Sequence, residues 1–226
     1  MNIQFTAFVC VLASLCASPA WAEDQRAPGA VGGFVDLEWR AFALGAHLSH
    51  GPAFAAGVSL WNGTLRLGIG ALNRPGPWNP ATFDVTLPDG VSYRGQRRLS
   101  LRSDGAMAGV HVAFAFDVPG TSRWSITLPV TLGYGGFGFY LHGDDRNTPD
   151  GRRVSEWENE LFGGRDSYLG LVVDAGARLN VDVTPTRWLR PYVGLYYTAV
   201  PGFDTLVRSS YAGFSAALGI EVGHGL

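Results

Sequence analysis

From Ala212 to Val222, bulky apolar and small or polar residues alternate one by one. Ala212, Phe214, Ala216, Leu218, Ile220 and Val222 take one parity; Gly213, Ser215, Ala217, Gly219 and Glu221 take the other. A period of two places successive side chains on opposite faces of a β-strand, here between an apolar and a polar environment. The same alternation recurs at about 31–42, 52–61, 64–71, 108–116, 124–134, 168–181 and 188–197. A weaker pair of segments, about 82–87 and 91–102, flanks Pro88-Asp89-Gly90.

Turn signals punctuate these runs. Asn62-Gly63 is a strong two-residue hairpin signal. Pro119-Gly120 and Thr184-Pro185-Thr186 mark two more short connections, while Asn73 to Pro80 and Leu141 to Asp166 read as longer polar ones. Short and long connections alternate, and Trp61, Phe116, Trp124 and Trp188 flank the short ones. Trp39, Trp78, Tyr134 and Tyr197 lie toward the opposite end. Two aromatic belts around an apolar exterior describe a barrel in a bilayer, with short periplasmic turns and longer surface loops.

The predicted fold is therefore all-β: a closed antiparallel transmembrane β-barrel over residues 31–226. Ten strands is the favoured count and eight the alternative. Counting 82–102 as wall gives ten, but puts Arg97 toward lipid at about 2–4 kcal/mol near mid-membrane. It also uses a strand shorter than the roughly 9–11 residues a tilted span needs.

Composition sharpens this picture. The 31 glycines and 12% aromatic content suit a crowded interior and aromatic rims. Residues 1–22 read as an export signal, with an apolar run from Phe5 to Leu15 and a small-x-small site at Ala20-Trp21-Ala22. Residues 23–30 form a short lead. Both cysteines, Cys10 and Cys16, fall in the signal, which leaves no disulfide framework or thiolate metal site beyond it. All 17 cationic side chains are Arg, and the net charge of −2 gives no nucleic-acid footprint.

On these patterns the chain resembles the broad class of small Gram-negative outer-membrane β-barrel proteins. Leu226 stands where that class commonly has a terminal aromatic residue. The resemblance implies an outer-membrane location after signal cleavage. It implies as partners the outer-membrane lipids, lipopolysaccharide and, during insertion, the barrel-assembly machinery. It does not choose an activity, because the class holds anchors, adhesins, narrow channels and a few enzymes.

Three constellations carry candidate chemistry. Asp36, Glu38, Arg40, Arg66, His111, Asp174, Arg178 and Glu221 share the inward parity. Buried ions must be paired, so these predict a salt-bridged lumen, with Glu221 in reach of Arg40 once the last strand closes on the first. Small inward residues (Gly170, Gly176, Gly194, Gly213 and Gly219) are expected opposite bulky inward groups such as Trp61, Tyr192 and Tyr196. Second, His142, Asp144 and Asp145 open the long polar insertion and loosely resemble the acid/His sites of outer-membrane proteases. Third, His47 and Ser49 share a strand face, a spacing also found in outer-membrane lipid A deacylases. No cofactor or metal motif is present. The expected role is structural or surface-interactive and non-enzymatic, with a surface-facing hydrolase and a narrow gated pore as alternatives.

Overall fold

The computed structural model describes residues 31–44, 47–75, 85–86, 92–93, 100–142, 151–162, 167–184, 188–201 and 212–224. Its strands are β1 (Gly32–Leu44), β2 (His47–Leu60), β3 (Leu65–Pro75), β4 (Val85–Thr86) and β5 (Ser92–Tyr93). They continue with β6 (Ser100–Asp117), β7 (Trp124–His142), β8 (Ser167–Val181), β9 (Leu189–Ala199) and β10 (Gly213–His224). The expected signal and lead, residues 1–30, lie outside the described residues.

Eight strands close into one antiparallel barrel in the order β1-β10-β9-β8-β7-β6-β3-β2. Closure joins the chain's first and last strands, from Gly33 opposite His224 to Phe42 opposite Ser215. The favoured count of ten is thus corrected to eight. β3 pairs directly with β6, from Leu65 opposite Phe114 to Pro75 opposite Asp104. β4 and β5 form a separate two-stranded sheet. The physical reason is length: two residues cannot cross an apolar layer, whereas β6 and β7 run for 18 and 19 residues.

The connections 61–64, 118–123 and 182–188 lie at one end with both barrel termini, and the four other connections lie at the opposite, loop end. Asn62 and Gly63 both adopt positive φ, and the Thr64 N–H donates to the Trp61 carbonyl at 3.2 Å, closing the hairpin that Asn-Gly predicts. Gly120 at φ +82 follows Pro119 in the next turn. Within the long insertion a helix spans Val154–Phe162, which a period of two does not predict. Its apolar Val154, Trp157 and Leu161 recur at helical spacing.

The outer face is apolar along the middle of the strands, with Asn73 and Asp104 exposed toward the loop end. Leu37, Val58, Ile69, Val110, Phe114, Val130, Leu132, Leu171, Val193 and Leu218 are all exposed on this face. So are Trp61, Phe116, Trp124 and Trp188 at the short-turn end. A continuous apolar exterior around a closed barrel, which has no unpaired edge, is the arrangement hydrocarbon demands.

Candidate functional site: the buried ionic layer

β1 supplies three charged residues at alternate positions, Asp36, Glu38 and Arg40, so strand geometry alone aims all three inward. β8 adds Asp174, Arg178 and Asn180 on the same principle, and β9 adds Arg190, Tyr192 and Tyr196. Among the described residues, five carboxylates and four guanidiniums inside the barrel are each at most 7% exposed.

Glu38 is the hub. Its carboxylate accepts from Arg40 Nε at 2.7 Å, from Tyr196 Oη at 2.8 Å and from Tyr192 Oη at 3.0 Å. Arg40 Nη1 also donates to Asp174 at 2.7 Å, and Thr198 donates to the same carboxylate at 2.9 Å. Arg178 pairs with Asp36, donates to the Tyr196 hydroxyl, and lies 3.7 Å from Glu38. The Arg40 guanidinium stacks 3.6 Å from the Tyr196 ring centroid. Desolvated charges at this density persist only when paired and hydrogen-bonded.

A second group lies nearer the short turns. Arg66 Nη1 is 2.5 Å from Glu221, and Arg190 bridges Glu221 at 3.5 Å and Asp182 at 2.5 Å. Arg66 also donates to Thr127, which accepts from Asn180 at 2.7 Å. His111 meets Thr131 Oγ1 through Nδ1 at 2.9 Å, beside a cavity of about 10 Å³ that it shares with Glu38, Arg40, Asp174 and Arg178. That volume holds one water at most.

Three sequence expectations change. Glu221 does not meet Arg40: it sits opposite Asp36 in register, while Arg40 faces Ala217. The like-charged neighbours Asp36 and Glu221 turn to arginines on other strands instead. Trp61 is not an inward group. It is 62% exposed, because its own φ of 53 takes it out of strand alternation. The steric reason for glycine holds at Gly176, Gly194 and Gly219, where an added Cβ would lie within 3 Å of the Tyr196 or Tyr192 ring. At Gly213 nothing lies within 4 Å. Alternation also carries Arg190 and Asp182, on the parities of Tyr192 and Asp174, which are absent from the expected network: Arg190 pairs with both Asp182 and Glu221.

The candidate catalytic residues fall elsewhere. His47 and Ser49 begin β2, opposite Leu44 and Phe42, and His142 ends β7 opposite Ser100. All three lie at the loop end, but β3 and β6 separate β2 from β7. Their side chains, and Asp144 and Asp145 altogether, lie outside the described residues. Among the described residues no three His, Cys, Asp or Glu converge as a metal site.

No protein-family model matches this chain, and no curated protein matches it. Solved structures do. The crystal structure of Neisserial surface protein A is 14% identical over 87% of this chain and 97% of that one, with a TM-score of 0.43. Ail, the attachment invasion locus protein of Yersinia pestis, is 10% identical over 87% and 98%, with a TM-score of 0.43. A major outer membrane protein from Thermus thermophilus is 12% identical over 84% and 98%, again at 0.43. The likeness is one of fold. Closure, strand number and apolar exterior make this chain a small eight-stranded β-barrel of the outer-membrane type.

Proposed function

We propose that this is an integral outer-membrane protein whose lumen is filled and whose work is done at its loop end, as a structural or surface-interaction protein without enzymatic activity. The observation that carries the reading is Glu38, held between Arg40, Arg178, Tyr192 and Tyr196 in the barrel interior. Every arm of that cluster is a side chain crossing the lumen, so the space a permeant solute needs is taken by protein. The short turns face the periplasm and the longer connections face outward, in contact with lipopolysaccharide. Residues 1–22 direct export and are removed, and the barrel-assembly machinery inserts the remainder.

Planar-bilayer recording of the purified protein tests this. Wild-type protein that migrates in its heat-modifiable, folded form should show no steady conductance. Large, persistent steps from that material would replace the filled barrel with a pore.

A further inference from the structure

The ionic cluster is not the only layer that crosses the lumen. Toward the loop end Phe42, Ala53, Leu72, Met107, Phe137, Val172 and Val200 pack into one buried apolar cluster. Their origin gives the cluster its shape. They come one each from β1, β2, β3, β6, β7 and β8, six of the eight walls, with Val200 directly after β9. All are at most 5% exposed.

The layer also has a fixed place in the sequence of each strand. Phe42 lies two residues loopward of Arg40, Val172 two loopward of Asp174, and Val200 two loopward of Thr198. Met107 is four residues loopward of His111, and Phe137 six loopward of Thr131. On five strands, then, the last polar inward residue named is followed toward the loops by an apolar one. The glycine at Gly105 fits this packing, since a Cβ there would fall 2.1 Å from the Phe137 ring.

Several buried polar atoms of the ionic layer have no hydrogen-bond partner among the described residues, and they lie on the short-turn side of this apolar layer. They include Arg66 Nε and Nη2, Asp36 Oδ1, Asn180 Oδ1 and His111 Nε2. Such groups draw water when water can reach them. An apolar constriction resists wetting, and so blocks ions, without any charge of its own.

We propose that the apolar layer is a seal in its own right, placed in series with the ionic layer and between it and the loop end. The proposal rests on the filled-lumen reading and assigns the barrier within it. Breaching the ionic layer alone then leaves the lumen closed, because ions still meet a dry constriction.

Single-channel recording on full-length folded variants tests this. Arg178→Ala strips a cation from Asp36 and Glu38 and leaves the apolar layer intact, so it should stay closed. Adding Phe42→Ser and Phe137→Ser should yield current at least tenfold above the Arg178→Ala background. Conduction by Arg178→Ala equal to that of the triple variant would overturn the seal, and so would a folded triple variant that stays closed. Should the triple variant lose its heat-modifiable migration, Phe42→Ser with Arg178→Ala applies the same criterion. Failure of the filled-lumen reading is separate, because it shows as steady conductance in wild type.

Discussion

Arg66 on β3 and Glu221 on β10 form an ion pair of two fully buried charges, 2.5 Å apart across the lumen and 155 positions apart in the chain. In barrel order β2 and β1 lie between their strands, so the pair is a strut through the interior rather than a rung along the wall. Arg178 and Asp36 form a second strut, between β8 and β1.

Breaking the first strut from one side should be expensive. Glu221→Gln leaves Arg66 buried without its counter-ion, and Arg66→Ala leaves Glu221 with Arg190, which Asp182 also engages. The expected loss is about 3–5 kcal/mol of unfolding free energy. Replacing both partners together with Met and Leu should cost much less, since a well-packed apolar pair can stand in for a buried ion pair. Urea titration of the barrel in lipid vesicles reads both values, and a single variant within about 0.5 kcal/mol of wild type would show the strut to be idle.

The tyrosine–glycine packing invites a double-mutant cycle. A Cβ at Gly219 would sit 2.3 Å from Tyr192 Cζ, inside contact distance of a ring whose hydroxyl is tied to Glu38. Gly219→Ala should therefore destabilise by roughly 1–3 kcal/mol through overpacking. In a Tyr192→Ala background the same change should cost little, because the obstructing ring is gone. Equal costs in both backgrounds would mean that the ring and the glycine do not compete for space.

How far the sequence carries can be judged at particular residues. Alternation put Asp36, Glu38, Arg178 and Glu221 inside and Leu37, Val193 and Leu218 outside, and the structure has them so. Parity is a local property, and one strand suffices to read it. Partner choice is not local. Glu221 meets Arg66 rather than Arg40 because closure sets the register and long side chains then reach past their neighbours. The favoured strand count of ten gives way to the alternative of eight for a related reason. The pair around Pro88 alternates well, yet alternation does not say whether a hairpin joins the wall or stands apart from it, as β4 and β5 do. The apolar layer was legible strand by strand, but only the assembled barrel shows that Phe42, Met107 and Val172 meet.

The strand-count correction has its own test. Since β3 pairs directly with β6, the wall does not need the intervening segment. Replacing residues 80–97 with a short Gly/Ser linker should leave an assembled barrel with unchanged heat-modifiable migration. A variant that no longer assembles would return that segment to the wall and restore a ten-stranded reading.

Lipid contact should be depth-dependent along a single strand. Val130 lies in the middle of β7 on the outer face, and Trp124 lies at its short-turn end, both exposed. Arginine at the middle of the bilayer must keep its charge solvated through a local defect, which costs about 2–4 kcal/mol. Arginine at the rim reaches the headgroups and costs about 0–1 kcal/mol beyond the loss of the aromatic anchor. Val130→Arg should therefore destabilise the barrel in vesicles by at least about 2 kcal/mol more than Leu128→Ala, a truncation on the same face. In detergent micelles, which deform around a charge at little cost, the gap should shrink. Trp124→Arg should show no such dependence on the host. Equal stability of Val130→Arg and wild type in vesicles would mean that the outer face of β7 does not meet hydrocarbon, and the membrane assignment would fall with it.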